Sequence, residues 1–420
     1  MTAEDLENPM PRRVRRGNKA DLLDGLLRAL ADELGPDAKL PSVRQLRERF
    51  GVSQTTLDAA LGRLERQRVL LRRERSGVFV APSLRERNVS LLCAPNAFQN
   101  TGASPFWPLL IERIRQQAGS GRLRLSLSLT QGFSDEDETA LEFEDASLFP
   151  SWVVADAEAG KLHGALAIGL PHSCARWLEA RGVPVVAFAG PADYMVQLNS
   201  PAVIALGVAE LVRQGCRRIA LWRTPHAGAE KHRGAERYDR AVFSGALAAH
   251  GLDPAQDGRV YQQVYENEPS SGPRRTTPTL VEAGWLTAQN CFGPDADPAG
   301  RPDGIVSTDD MLTQGALMAL DRLGVAVGRD VRVTTHANLG SPTLLGWQDR
   351  LTRIEYDPGE VVSALFDVLA ALLRGGEGLD RLPLVQAENL GVPAKEFVWT
   401  IQPRVIRPAA GGEGGTPPGA

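Results

Sequence analysis

Residues 39–82, KLPSVRQLRERFGVSQTTLDAALGRLERQRVLLRRERSGVFVAP, constrain this chain more than any other stretch of it. The order of signals reads as helix, tight turn, helix and a basic two-stranded hairpin. Ser42 is placed to N-cap a helix beginning at Val43, with Pro41 fixing the chain just before it. Val43, Leu46 and Phe50 recur at helical spacing and form an apolar stripe, while Arg44, Arg47 and Arg49 occupy the other faces. Gly51 suits the turn that follows, because a tight turn favours a residue that tolerates positive φ. Ser53 then caps a second helix, whose Leu57, Leu61 and Leu64 face the same core. Residues 69–71 and 78–80 are apolar runs flanking RRERSG, which predicts a hairpin with Ser76-Gly77 at or near its tip. Upstream, Leu22, Leu23, Leu26, Leu27, Leu30 and Leu34 line one face of an amphipathic helix ended by Gly35-Pro36. Three helices and a wing make a winged helix-turn-helix.

The polar residues left outside this core point to double-stranded DNA. Gln54, Thr55 and Thr56, led in by Ser53, occupy the turn of the second helix that enters the major groove in helix-turn-helix docking. A Gln amide can bond bidentately to adenine, and a Thr methyl can touch thymine. Arg44, and Arg72, Arg73 and Arg75 beside Gly77 on the hairpin, are placed for phosphates or, on the wing, for a minor groove. An arginine-rich face is more often only a solvated surface. Here cap, turn, polar first turn and basic hairpin agree. Charge agrees too: residues 1–88 carry 18 Lys+Arg against 13 Asp+Glu, and the remainder 29 against 38. The formal net charge of −4 hides a basic head on an acidic body.

This segment resembles the GntR-family winged helix, whose pattern runs LPS-x-R-x-L, GVS-x-x-T, A-L-x-x-L and G-x-F-V. Leu40-Pro41-Ser42, Arg44, Leu46, Gly51-Val52-Ser53, Thr56, Ala60-Leu61, Leu64, Gly77 and Phe79-Val80 match as they stand. The family commonly has arginine at the positions of Gln54 and Asp58, and glycine at Arg68. Asp58 would repel phosphate or accept from a cytosine amino group, so the resemblance implies an operator unlike the family's usual one.

Beyond a polar linker, apolar runs alternate with helical segments. Strands are expected at 89–94, 165–169, 183–189, 218–222, 304–307 and 331–335, and helices at 106–117, 174–181, 201–214, 238–250 and 311–323. Residues 151–154 read as another strand or a short connecting piece, within a stretch (119–160) that is the least legible. Such alternation predicts parallel sheets covered on both faces, with ligands at the carboxyl ends of the strands.

The phrases GVPVVAFAG, VAELVRQGCRRIAL, FSGALAAHGL and, most strongly, PDGIVSTDDMLTQGALMALDRLGVAVGRDVRV resemble the sensor domain of LacI/GalR-type repressors. The resemblance spans about residues 89–405 and implies a two-lobed α/β periplasmic-binding-protein-like fold. The expected organisation is multidomain: a flexible basic arm at 1–17, the winged helix-turn-helix at 18–82, a linker at 83–88, a two-lobed effector-binding and dimerisation domain at 89–405, and a disordered tail at 406–420.

In that family the effector lies between the lobes. By resemblance, the effector-binding candidates are Trp107 (or Phe106), an aromatic platform for a sugar ring, and Asn199. Trp222 and Arg223 end a second-lobe strand, and Arg240 lies beside Asp239, which stands where the family has arginine. Asp310 joins them, with Asp309 as the other choice, although Asp309 could instead cap the next helix. His336 and Asn338 complete the set, in a T-H-A-N phrase where the family has G-F-D-D.

The resemblance implies a cytoplasmic homodimeric transcriptional regulator of the repressor kind. Its affinity for operator DNA would be gated by a small molecule, a sugar or derivative, in the interlobe cleft. The altered cleft residues leave a second reading open, an effector-independent DNA-binding regulator whose sensor-like domain only dimerises. An enzyme is not expected: there is no G-x-S-x-G, P-loop or H-E-x-x-H, and Lys161, Lys231 and Lys395, the only lysines beyond residue 88, lack a Schiff-base context. Cys93, Cys174, Cys216 and Cys291 are scattered without a C-x-x-C pair, which suits a reducing cytoplasm and marks no metal site. No cofactor is expected. No membrane partner is expected either, since no apolar run approaches the ~20 residues a span needs and the N-terminus lacks an apolar signal-peptide core.

Overall fold

The computed structural model describes residues 16–35, 37–66, 69–73, 76–81, 87–95, 104–120, 123–131, 146–227, 232–265, 279–386 and 397–408. Arg75, residues 1–15 of the expected arm and 409–420 of the expected tail lie outside them. By its internal contacts the chain divides into two units, residues 1–88 with 121–124, and the remainder.

Ser42 starts the second helix of the head as anticipated. Its hydroxyl accepts from the Gln45 N–H, and the Gln45 side chain accepts from the Ser42 N–H at 2.9 Å, a reciprocal cap. The head comprises α1 (Arg16–Leu34), α2 (Val43–Phe50), α3 (Gln54–Arg66) and the hairpin β1 (Leu70–Arg73) with β2 (Gly77–Val80). α1 begins two residues inside the expected arm. Gly51 closes α2 at φ +62°, in the left-handed region where a Cβ would be strained. Leu23, Leu27, Leu46, Phe50, Leu57, Leu61, Leu64, Val78 and Val80 share one core, so each apolar stripe meets the others. In the hairpin Arg73 pairs with Gly77. The chain after α1 adds a short extra rung that local pattern does not announce: the Leu40 N–H donates to Val78 O, and the Val80 N–H to Ala38 O.

The second unit contains two sheets. The first has the order β13-β14-β7-β6-β5-β3-β4 and the second β15-β12-β11-β10-β8-β9. The first is built from β3 (Arg87–Cys93), β4 (Leu123–Leu129), β5 (Gly164–Ile168), β6 (Val185–Phe188), β7 (Tyr194–Leu198), β13 (Val385–Gln386) and β14 (Phe397–Ile401). The second takes β8 (Ile219–Ala227), β9 (Gly258–Tyr265), β10 (Gly304–Ser307), β11 (Arg332–Asn338), β12 (Thr352–Tyr356) and β15 (Arg404–Ile406). The central strands β5, β6 and β10 are buried along their whole length, as continuous apolar runs between two helical layers must be. Pairing is parallel except where β15 meets β12 and β13 meets β14.

The chain passes between these lobes three times. β7 leads through Asn199 into helix Ser200–Arg213 on the second sheet, β12 through Asp357 into helix Pro358–Leu373 on the first, and β14 through residues 402–403 into β15. Residues 151–154, expected as a strand or a connection, begin the helix Ser151–Glu158, whose Val153 and Ala157 are buried one turn apart. β4, β7, β9, β12, β14, β15 and the helices Leu280–Phe292 and Pro358–Leu373 were not anticipated. Ile406, expected in the tail, ends β15.

One contact sets the second lobe apart. Helices Leu280–Phe292 and Asp310–Arg322 approach so closely that a Cβ on Gly284 would lie 1.8 Å from Leu312 O, and one on Gly315 1.8 Å from Val281 O. Only glycine fits at such a crossing. Among the described residues no helix is long and apolar enough to cross a membrane.

Candidate functional site

Two polar surfaces carry the chemistry, one in each unit. On the head, Gln54 and Thr55 are exposed on the first turn of α3 and Thr56 is half-buried. The Ser53 hydroxyl is occupied locally: it accepts from the Thr56 N–H at 3.2 Å and lies 2.8 Å from the Thr56 hydroxyl. Ser53 and Thr56 therefore build the helix start, and Gln54 and Thr55 are the exposed candidates left for base contact. Gln54 is held on both sides, accepting from Arg47 at 3.3 Å and donating to Asp58 at 3.0 Å. Gln54 and Asp58, both departures from the family pattern, are thus bonded to each other.

Among the described residues, the predicted phosphate ligands Arg44, Arg72 and Arg73 are exposed and paired with acids. Arg44 meets Glu48 at 3.0 Å, Arg72 meets Glu65 at 3.1 Å, and Arg73 meets Asp37 at 2.7 Å while covering the Phe79 ring. Exposed pairs of this kind are worth ~0–1 kcal/mol, so a phosphate can displace the acid at little cost. Gly77 sits at φ +109°, and a Cβ there would meet the Lys39 side chain at 3.2 Å. Its part is to shape the wing.

In the second lobe, Asp309, Asp310 and His336 gather at the carboxyl ends of β10 and β11, each offering one ligand atom within 4.8 Å of the others. Asp309 also caps helix Asp310–Arg322, its Oδ1 accepting from the Met311 and Leu312 N–H groups at 2.8 and 3.0 Å. Asp310 is 1% exposed; its Oδ2 accepts from the Ser341 hydroxyl at 3.3 Å, and its Oδ1 has no partner. Nδ1 of His336 and both amide atoms of Asn338 are likewise buried without a partner. His336 and Asn338 are two apart on β11 and so project from one face of it. The hydroxyls just behind are satisfied: Thr313 donates to Ser307 at 2.7 Å and lies 2.6 Å from Thr335.

Burial and the adjacent Asp310 charge push Asp309 up to about 7, against the opposing backbone N–H groups. Burial also pushes His336 below the usual imidazole value, with Asp310 opposing. Burial thus favours the neutral imidazole, the form that accepts a hydrogen bond or a metal.

The other expected cleft residues separate. Trp107 is half-buried and meets Phe106 at 5.2 Å and Phe188 at 6.2 Å, an aromatic group at the end of β6 on the first lobe. Phe106 itself is core. Leu109 of the same helix lies 3.9 Å from a Cβ placed on Gly340, so the start of this helix borders the loop after β11. Trp222 is corrected: it is 1% exposed in the core with Ile305 and Leu317, since alternation along β8 turns it to the face covered by helices Leu280–Phe292 and Asp310–Arg322.

Arg223 and Asp239 form a partly buried ion pair at 2.7 Å, so the acid at the family's arginine position is matched by an arginine on the strand. Arg240 is exposed on the neighbouring helix. Asn199 belongs to the hinge. It caps helix Ser200–Arg213, donates to Gln402 at 2.8 Å, and through its carbonyl accepts from the Tyr356 hydroxyl at 2.6 Å. The Tyr356 ring lies 5.5 Å from that of His336, which connects the buried cluster to the crossings. Phe188, Ser341 and Tyr356 were missed by sequence reasoning. Position at or just past a strand's carboxyl end was the one available signal.

A basic winged helix joined to a two-lobed sensor defines a class of protein, the DNA-binding regulators with a ligand-sensing body. Residues 20–80 match the model of bacterial regulatory proteins of the gntR family, and residues 208–389 match that of a periplasmic binding protein-like domain. The chain thus joins a GntR-type helix-turn-helix to a periplasmic binding protein-like domain. Similar solved structures share the fold at low identity. A LacI transcriptional regulator from a Rhodococcus species is 20% identical, with TM-score 0.50 over 78% of this chain and 98% of that one. A LacI-family regulatory protein from Chloroflexus aggregans is 17% identical, with TM-score 0.52 over 77% and 98%. The transcriptional regulator CelR, in complex with cellobiose, is 15% identical, with TM-score 0.50 over 95% and 100%.

Proposed function

We propose that the chain is a cytoplasmic transcriptional regulator, of the repressor kind, whose head binds operator DNA with an affinity set by a small polar ligand taken between the lobes. The observation that carries this reading is the set of buried, unpartnered polar atoms on Asp310, His336 and Asn338, at the strand ends of a sensor fold that follows a winged helix. A native interior satisfies nearly all its buried polar groups, and leaving one unmet costs ~1–3 kcal/mol, so a concentration of them at a strand-end site calls for a ligand. The half-buried Trp107 on the other lobe suits the apolar face of a ring, and the cellobiose held by CelR supports a sugar or a derivative as the organic effector. This chemistry suits binding and sensing, which fits a regulator.

Gating follows from linkage. A ligand that prefers one arrangement of the lobes shifts operator affinity only by its differential affinity, and a coupling of ~1–3 kcal/mol corresponds to about 5–150-fold. One winged helix reads one half-site, so the working unit is a homodimer on a two-fold operator. The test is fluorescence anisotropy of the full chain on the DNA upstream of its own gene, titrated with salt and repeated with pools of sugars. Saturable binding with a steep salt slope, altered by one pool, is expected. Binding indifferent to every pool favours an effector-independent regulator. No binding to that DNA or to random duplex at low salt overturns the assignment.

A further inference from the structure

The chain order Asp309, Asp310, His336 carries no recognisable metal spacing, yet the fold brings two carboxylates and an imidazole together where an organic ligand alone would leave a charge problem. We propose that Asp309, Asp310 and His336 hold a first-row divalent metal ion in the second lobe. This deepens the effector-site reading above and rests on the same cleft, but the ion's binding can be measured without DNA.

Charge is the first argument. Asp309 and Asp310 are adjacent, and among the described ion pairs neither has a Lys or Arg partner. The start of helix Asp310–Arg322 supplies only about half a positive charge, against two carboxylates. A buried site with that deficit takes up either protons or a cation.

Orientation is the second. Each of the three residues brings one ligand atom within 4.8 Å of the others, and each keeps an atom that none of the described hydrogen bonds occupies. Asp309 commits Oδ1 to the cap, leaving its other oxygen. Asp310 commits Oδ2 to Ser341 and leaves Oδ1, and His336 leaves Nδ1, both buried and without a partner. Asn338, 4% exposed with its amide oxygen unmet, lies two residues from His336 on the same face of β11 and offers a further oxygen. Opposite ligands around an ion at ~2.1 Å are ~4.2 Å apart, so atoms within 4.8 Å need only small side-chain rotations to close on one.

Donor type selects the ion. A neutral imidazole nitrogen with carboxylate oxygens suits Mn2+, Co2+, Ni2+ or Zn2+, and disfavours Ca2+ and Mg2+, which prefer all-oxygen shells. His336 also packs against Tyr356, whose hydroxyl holds the Asn199 carbonyl at the first crossing. An ion that fixes the imidazole therefore bears on the hinge.

The experiment is isothermal titration calorimetry of the tag-free full chain with CoCl2 and ZnCl2, after chelator treatment. It is paired with the visible ligand-field spectrum of the Co2+ form, and repeated on His336→Gln and Asp310→Asn with circular dichroism to verify folding. One ion per chain is expected, weakened at least tenfold in each folded variant, with the Co2+ spectrum changed by His336→Gln. No heat with either ion, or full binding retained in a folded His336→Gln chain, overturns the proposal; if Asp310→Asn fails to fold, His336→Gln alone decides. An organic pool that still alters operator binding in a chain that binds no metal sinks the ion and leaves the regulator standing. A bound ion in a chain that ignores DNA does the reverse.

Discussion

The polar groups of the head are exposed and paired with one another, while those at the second-lobe strand ends are buried and unpaired. Arg44, Arg72 and Arg73 each rest on a neighbouring acid in water, where exchanging one partner for a phosphate is nearly free. Asp310, His336 and Asn338 sit in a low-dielectric interior with atoms unmet. The first arrangement gives adaptable, salt-sensitive affinity. The second gives a strong demand for one particular ligand. Under the proposed function, the difference would let one chain bind a long polyanion loosely enough to release it, and a small ligand selectively enough to decide when.

Several substitutions would break or sharpen this contrast. The largest effect is expected where the buried site is carried. Gly315→Ala would drive a methyl against Val281 O and should cost about 3 kcal/mol or more, read as a fall in denaturant midpoint with loss of any ligand response. A wild-type midpoint would show that the two helices separate easily. Next, Asp310→Asn removes a buried, unpaired charge and should raise stability by ~1–3 kcal/mol in ligand-free protein while abolishing ligand gating. A destabilised variant would mean that Asp310 is already satisfied.

On the head, Gln54→Ala should leave melting temperature unchanged yet relax base preference at one operator position by ~1–3 kcal/mol, measured by competition among single-base operator variants. Arg72→Ala should weaken all sequences alike and lower the salt slope by ~1, with no change in base preference.

The smallest effect is a pH dependence in the first lobe. Burial, then the Asp193 charge, raises Glu179 to about 7. Its folded value lies above its unfolded one, so the associated stability is full below the ordinary carboxylate range and is lost as pH rises through about 7. Glu179→Gln should flatten that decline and stabilise by ~1 kcal/mol at pH 8, seen as melting curves that converge at pH 4. Parallel curves would place the carboxyl in water.

The head was legible almost throughout because its instructions are local. Ser42, Gly51, Ser53 and the leucine stripes act within a few residues of themselves, and they meet in one core. The body was legible where a strand is wholly apolar, as in β5, β6 and β10, and opaque where it is not. β4 alternates leucine with arginine and serine at a sheet edge, and β9 (GRVYQQVY) carries glutamines at another. Asp310, His336 and Asn338 were candidates through the family resemblance, and Asp310 and His336 meet at neighbouring strand ends. Trp222, Arg223 and Asn199, candidates alongside them, became core, ion pair and hinge.

Residue order alone specified the winged helix, its candidates for base contact and the alternation that makes two parallel sheets, because helical and strand periodicities are properties of neighbouring residues. Which face of a strand meets a helix layer and which meets the opposite lobe depends on packing between elements far apart in the chain. So does the approach of Asp309 and Asp310 to His336, which hangs on β10 and β11 lying side by side and on the glycine-to-backbone crossing that seats helix Asp310–Arg322. Charge deficit and unmet hydrogen bonds exist only once burial does, and burial is a tertiary fact.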